Sequence, residues 1–394
     1  MVKWKKKQEN KMNISEKIKY VGVLDLVTDL FEGQYLVPDG ISYNSYVILD
    51  EKCAIIDSVD ARFSGEWLKN VEEALAGRTP DYLVVQHMEP DHSGSIEDFL
   101  KVYPTARLVA SDKAFGMIKS FFGKDCRGDG ITVKDGDTLS LGTHTLKFIG
   151  APMVHWPEVI LSFEESEGVL FSADAFGRFG KPDEKAEWDD EARRYYIGIV
   201  GKYGVPVQTL LKKAAALDIK TIAPLHGPVL KENLGHYISL YNTWSGYRAE
   251  SPGAVIAYAS IYGNTRAAAE ELERELKARG IETVIYDLSR CDKSKAIADA
   301  FRYDTLVLAS ATYNAGVFPP MREFLSGLTE RGYSSRRVAL IENGSWAPAA
   351  AKVMRSMLEC QKDITFFDTE VKITSALNDD SRASIINLAN EICK

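Results

Sequence analysis

The sequence predicts two domains that mix helices and strands. The first is an α+β unit of two sheets covered by helices; the second is an α/β unit with a doubly wound parallel sheet. Three observations predict this. At 394 residues the chain is long enough for two domains of ordinary size. Up to about residue 249, short apolar runs are joined both by tight hairpin connections and by helical stretches. Beyond that point the rhythm changes to strand–helix alternation, the pattern of a parallel sheet. The Pro-Gly punctuation in Arg248-Ala249-Glu250-Ser251-Pro252-Gly253 marks the boundary. The expected division is a tail at 1–13, a first domain at 14–249 and a second at 250–394.

Composition narrows the class. With 45% hydrophobic and 26% charged residues the chain has the balance of a soluble globular protein. A net charge of −8 argues against nucleic acid as a general partner. No apolar run approaches the ~18 residues that span a membrane. Lys3, Lys5, Lys6 and Lys7 make the N-terminus basic, but no apolar core follows them, so they read as a flexible solvated tail and not a signal peptide. Cys53, Cys126, Cys291, Cys360 and Cys393 are scattered without a C-x-x-C pair. That pattern points to reduced thiols in a cytoplasm and argues against a built-in four-cysteine metal module.

In the first domain, Val21–Leu24, Ser45–Leu49 and Ala54–Asp57 read as strands, the last two joined by Asp50-Glu51-Lys52 as a hairpin. A helix over 64–76 precedes the strand Tyr82–Val85. Helix then resumes over 95–103, and strands follow at 107–110, 145–149 and 169–172. The second domain opens with the buried strand Ala254–Ala259 and an amphipathic helix over 266–279 closed by Gly280. Further apolar strands fall at 283–286, 305–309 and 338–341.

The densest chemistry lies in Gln86-His87-Met88-Glu89-Pro90-Asp91-His92-Ser93-Gly94, directly after an apolar strand. Two imidazoles and two carboxylates within six residues, interleaved with Met and Pro, are poorly explained as a solvated face; they suit a metal. His155, Asp174 and His226 each follow another predicted strand, for His226 the short run Thr221-Ile222, where strand ends gather side chains along one edge of a sandwich. Of the six histidines, His144 in a turn and His236 on an amphipathic helix lack this placement and read as surface or packing residues.

In the second domain three loops emerge at strand C-termini, where ligands of doubly wound sheets bind. Ser260-Ile261-Tyr262-Gly263-Asn264-Thr265 offers hydroxyls and backbone N–H groups at a helix start, a nest for phosphate without a lysine. Neither a P-loop nor a G-x-G-x-x-G is present, which disfavours nucleoside triphosphates and dinucleotides. Ser310-Ala311-Thr312-Tyr313-Asn314-Ala315-Gly316 and Glu342-Asn343-Gly344-Ser345-Trp346-Ala347 supply amides, hydroxyls and one aromatic each, suited to a flat heteroaromatic ring.

His87-x-Glu89-x-Asp91-His92, then His155, Asp174 and His226 in that order, resembles the metallo-β-lactamase superfamily and implies its αββα sandwich. That superfamily usually carries His-x-His-x-Asp-His, so the chain departs at Glu89. A carboxylate there makes a harder, more anionic set, better suited to iron than to a hydrolytic zinc pair. The three later loops together resemble flavodoxin, which binds FMN. The combination, from about Ile14 to the end, resembles the flavodiiron proteins in their minimal form.

The resemblance implies a non-haem diiron centre. His87, Glu89 and His155 would bind one iron; Asp91, His92 and His226 would bind the other. Asp174 would bridge them with a solvent-derived oxygen, and the family's match to His92 can also turn away in favour of water. It further implies reduction of O2 to water, of NO to N2O, or of both. FMN would supply the electrons, received from an external donor such as rubredoxin. Head-to-tail homodimers, or dimers of dimers, bring FMN of one subunit to the irons of the other in this family. Trp156 and Tyr195 or Tyr196 are candidates to line the substrate pocket, with plain packing as the alternative. The competing readings are a metal-dependent hydrolase with a flavodoxin-like appendage and a pure electron carrier.

Overall fold

A computed structural model describes residues 12–183 and 187–394. The basic positions Lys3 to Lys7 of the expected tail lie outside the described residues. Met12 and Asn13, assigned to that tail above, are built into the fold: Met12 is buried, and the Asn13 side chain accepts the Tyr20 N–H at 2.9 Å. The chain separates into two compact units, residues 1–242 and 243–394.

Two sheets form the first unit. One has the strand order Ile18–Tyr20, Tyr46–Leu49, Cys53–Ile56, Tyr82–Val85, Arg107–Ala110, Ile131–Thr132. Its first three strands are antiparallel and the rest parallel. The other runs Thr138–Ser140, Thr145–Gly150, Ile160–Glu164, Val169–Phe171, Thr221–Ala223, antiparallel except for the last pair. Alternation along the strands sorts their side chains. Ile48, Ala54, Ile56 and Val84 join Leu146, Phe148, Ile160 and Phe171 of the second sheet in one core. Val47, Ile55, Leu83 and Val85 face the helices. Because both faces are covered, these strands read as unbroken apolar runs.

The helix Ser64–Leu75 buries Trp67, Val71 and Leu75, spaced to share one face. It ends at Leu75, one residue earlier than the sequence predicts, with Ala76 capping it in the left-handed conformation. Burying a side chain the size of Trp67 contributes at least about 2–3 kcal/mol. Its indole N–H also donates to Ser45 Oγ at 3.0 Å, and that hydroxyl donates to the Asp57 carbonyl at 2.8 Å. The helix-side core is thus tied to the strand end that supports the site.

The second unit is a parallel sheet in the order Thr283–Asp287, Ser251–Ala259, Tyr303–Tyr313, Arg336–Asn343. A fifth strand in two pieces, Ile364–Phe366 and Val371–Ile373, completes it; both pieces pair with Arg336–Asn343. Numbered within the unit this order is 2-1-3-4-5, one of the two common doubly wound arrangements. The helix Asn264–Ala278 begins two residues earlier than expected, after Gly263, whose φ of +94° suits a residue without Cβ. The strand Tyr303–Tyr313 runs on through a stretch expected to be loop. Asn314 and Ala315, both at positive φ, turn it back onto Gly316–Val317 as a hairpin. No helix among the described residues is long and apolar enough to cross a membrane.

Candidate metal centre and cofactor cleft

The loop after Tyr82–Val85 is held by the neighbouring strand end, Asp57-Ser58. The Gln86 backbone N–H donates to Asp57 Oδ1 at 2.7 Å and the Gln86 side-chain amide to Oδ2 at 3.0 Å. Ser58 N–H and Oγ–H both donate to the His92 carbonyl, at 3.0 and 2.6 Å. Asp57 adopts φ +54° in doing so. Burial would keep its carboxyl neutral and raises it to about 6, against the pull of His92 and of the two Gln86 donors. The interleaved Met88 and Pro90 now have physical roles: Met88 plugs the helix-side core, and Pro90 starts the short helix Pro90–Ser93 that presents Asp91 and His92.

The other three positions arrive from the second sheet. His155 follows Thr145–Gly150, Asp174 follows Val169–Phe171, and His226 follows Thr221–Ala223. The last two loops are stitched together by Leu225 N–H donating to the Ala173 carbonyl at 2.9 Å. Asn44 holds the His226 loop by donating to the Pro224 and Gly227 carbonyls at 2.8 and 2.9 Å.

All seven predicted positions converge, in two groups able to hold an ion: His87, Glu89, His155 and Asp174, and Asp91, His92 and His226. Asp174 faces both. Its Oδ2 lies 3.0 Å from His155 Nε2 and 3.4 Å from His87 Nε2; its Oδ1 lies 3.1 Å from His92 Nε2 and 3.7 Å from His226 Nε2. Glu89 Oε2 closes the first pocket at 3.0 Å from His155 and 3.3 Å from His87. Asp91 Oδ2 closes the second at 3.2 Å from His92 and 3.3 Å from His226. Asp174 Oδ1 and both Asp91 oxygens are buried without a hydrogen-bond partner, although buried carboxylates ordinarily have one. Four inward imidazole nitrogens and three carboxylates, with acceptors left over, fit a pair of divalent cations.

Electrostatics agree. Burial resists charge on His87, yet Asp174, Glu158 and Glu89 raise its affinity for a proton well above the usual imidazole range. His155, also opposed by burial, is pushed up to about 9 by Asp174 and Glu89. Burial would raise Asp174, but His87 and His92 hold it well below the carboxylate range. Without a metal the cluster compensates its negative charge with imidazole protons, which a cation would displace.

Around the cluster, the Trp156 ring stands edge-on to His87 at 5.3 Å and lies 6.1 Å from His155. Tyr195 and Phe31 each lie 5.4 Å from the His226 ring. Tyr196 instead packs on Tyr241 at 5.0 Å, so of the two tyrosines Tyr195 faces the cluster. Sequence reasoning missed Phe31, at the end of the strand Leu30–Phe31, and Glu32, in the turn that leads to Tyr35–Leu36. Partial loss of water around the Glu32 carboxyl and the charge of Glu89 push it up to about 7, against His155, although the residue as a whole is exposed. Glu158 was missed although it lies three residues after His155; it is buried, with Oε1 2.8 Å from His87 Nδ1. Of the set-aside histidines, His144 is no surface residue. It is buried between Asp50 at 3.0 Å and Glu167 at 3.3 Å. His236 is partly exposed and pairs with Asp189 at 2.8 Å.

The three loops of the second unit meet around a cleft of about 470 Å³, within the range of small-molecule sites. Ser260, Ile261, Tyr262, Asn264 and Thr265 line it from the first loop. Ala311, Thr312, Asn314 and Ala315 come from the second, and Asn343, Gly344, Ser345, Trp346 and Ala347 from the third. Gly263, Tyr313 and Gly316 shape the turns without lining it, and Ser375, not anticipated, joins its wall. Ser260 Oγ accepts the Gly263 N–H at 3.1 Å, and Thr312 Oγ1 accepts the Ala349 N–H at 3.0 Å. No side chain caps the start of Asn264–Ala278 and its first turn carries no acid, leaving positive N–H ends for a phosphate. Exposed Tyr262 and Trp346 offer flat apolar faces to a ring system. The donor set fits FMN.

Residues 41–227 match the model of the ODP family beta lactamase, and residues 256–372 match that of flavodoxin. An uncharacterised protein of Methanocaldococcus jannaschii is 30% identical over 322 residues, covering 80% of this chain and 81% of its own. A nitric oxide reductase of Moorella thermoacetica is 30% identical over 363 residues, 89% of this chain and 90% of its own. The rubredoxin oxygen:oxidoreductase of Desulfovibrio gigas superposes with a TM-score of 0.90 over 97% of both chains at 24% identity, a likeness of fold. With a β-lactamase-type metal unit joined to a flavodoxin unit along nearly its whole length, the chain belongs to the flavodiiron proteins.

Proposed function

We propose that this chain is an oxidoreductase that reduces O2 to water, NO to N2O, or both, at a non-haem diiron centre supplied with electrons through FMN. The observation that carries the reading is the pair of pockets sharing the two oxygens of Asp174, one of them containing Glu89. His87, Glu89 and His155 would hold one iron, Asp91, His92 and His226 the other, and Asp174 both. The three loops around Ser260–Thr265, Ala311–Gly316 and Asn343–Ala347 would hold FMN. When bound, the irons supply one-electron redox chemistry at adjacent ions, and FMN accepts and passes on electrons singly or in pairs.

The protein's part is positioning and exclusion. Glu158 and the Ser42 carbonyl hold the Nδ1–H of His87 and His226, which directs the Nε2 lone pair of each into its pocket. The rings of Trp156, Phe31 and Tyr195, packed against the ligand imidazoles, suit a small neutral diatomic molecule. Reduction of O2 to water takes four electrons and four protons; reduction of two NO to N2O and water takes two of each.

Several finer points belong to the same proposal. The domains meet at 249 and 250, and the first begins with Met12 and Asn13, which its core takes in. The electron donor is external and of the rubredoxin type. A head-to-tail homodimer, alone or paired, joins the flavin of one subunit to the irons of the other. The five free cysteines fit a cytoplasmic location. Metal analysis with an absorption spectrum, then turnover of the rubredoxin-reduced protein with each gas, tests the reading. Two irons, a flavin band and gas reduction support it; two zincs with esterase activity overturn it in favour of a hydrolase.

A further inference from the structure

We propose that Glu158 is a positioning residue that makes the two metal pockets unequal. The pocket of His87, Glu89 and His155 would then fill first and hold its ion more tightly than the pocket of Asp91, His92 and His226. The inference rests on the diiron reading above.

The difference lies behind the ligands. Glu158 Oε1 stands 2.8 Å from His87 Nδ1 and accepts the Met88 N–H at 2.9 Å. Its side chain is fully buried, and Oε2 has no hydrogen-bond partner, so few donors spread its charge. Its backbone is anchored, with Ser111 Oγ–H donating to the Glu158 carbonyl at 2.8 Å. In the second pocket the corresponding support for His226 is neutral, the Ser42 carbonyl 2.7 Å from Nδ1. His92 Nδ1 is buried with no partner. A carboxylate behind an imidazole fixes its ring and makes the facing nitrogen a stronger donor than a carbonyl does. Each pocket has its own carboxylate, Glu89 or Asp91, and Asp174 serves both, so those charges balance. Asp57 is taken up by the Gln86 amide and the Gln86 and His87 backbone, and Glu32 faces Glu89, so of the carboxylates behind the ligands Glu158 is the one that stands on an imidazole Nδ1.

The test uses the full-length chain with FMN retained and metal removed by a chelator, titrated anaerobically with ferrous ion. The parent should take up two ions in separable steps, and Asp91→Asn should abolish the weaker one. Glu158→Gln keeps an oxygen for both donors but removes the charge. It should weaken the tighter step about 10–100-fold, leave the weaker step in place and raise the midpoint potential of the loaded centre. Thermal unfolding of the metal-free variant and its flavin content should match the parent. An unchanged tighter step and potential in Glu158→Gln would overturn the proposal, as would loss of the tighter step in Asp91→Asn. Should Glu158→Ala fail to fold, Glu158→Gln alone decides. A parent that binds fewer than two ions refutes the diiron reading itself, a distinct result.

Discussion

The metal centre and the cofactor cleft are built by opposite means. In the first unit His87 and His92 are wholly buried, and the loops bearing His87 to His92, Asp174 and His226 are tethered by hydrogen bonds from elsewhere in the sandwich. In the second unit the cleft is edged by Tyr262 and Trp346, 92% and 83% exposed, and its polar contacts come largely from turns and a helix N-terminus. A metal site needs particular side chains at fixed distances, so it is assembled inside a rigid core. A flavin site of this kind can use backbone N–H groups and flat surfaces, so it tolerates an open rim. The lesson is that the two sites should fail independently and for different reasons.

Asp174→Ala should break the comparison most sharply, since it removes the one carboxylate common to both pockets. Metal analysis should show loss of both ions, on the order of 100-fold or more in affinity, while flavin absorbance persists. Retention of two irons and activity would disprove the shared role of Asp174. The converse variant, Gly263→Val, forces a β-branched residue to φ +94°, a strain of about 1–3 kcal/mol. FMN affinity should fall about 10-fold or more, read by flavin release on dilution, with iron content unchanged.

Proton linkage sharpens the contrast. In the metal-free protein His155, raised to about 9, contributes stability in full below about 6.5 that is lost as pH rises through its folded value. Asp174, depressed, contributes stability present above the unfolded carboxylate value and lost as pH falls through its own. Thermal unfolding of the metal-free chain should therefore lose ground between about pH 6.5 and 9, whereas metal uptake should strengthen over that interval as imidazole protons leave. A flat profile would mean that the cluster carries no such protons. The smallest effect is expected for His236→Gln. Its partly exposed pair with Asp189 contributes about 0–1 kcal/mol, and a chemical denaturation midpoint close to the parent's, with both cofactors retained, would confirm that it stands outside either site.

Much of the metal centre was legible because each ligand type follows an apolar strand, and strand ends converge on one edge of a sandwich. His87 to His92 is local, and His155, Asp174 and His226 repeat the same placement. The strand Ile160–Glu164 was missed although Pro157 precedes it and Ser166 and Gly168 follow it: Ser162 interrupts its apolar run and leaves it short. The second cofactor loop was half legible. Ala311, Thr312, Asn314 and Ala315 line the cleft and Tyr313 and Gly316 do not, and strand and hairpin continue through 310–313 because neighbouring strands extend the ladder to Asn343. Glu32 left no signal, since a carboxylate in a polar turn looks like any other.

By itself the sequence determined the two-unit organisation and singled out the seven side chains that converge and the three loops that meet at the cleft, because side-chain type and apolar periodicity are written along one dimension. Only the tertiary structure decided which oxygen of Asp174 faces which pocket. It also decided that Tyr195 and not Tyr196 faces the cluster, and that Glu158 stands behind His87. These pairings join residues far apart in the chain, 71 positions for His87 with Glu158 and 184 for His226 with Ser42. Their partners are chosen by where a core happens to close, and a buried polar atom takes whatever donor or acceptor that closure brings within reach.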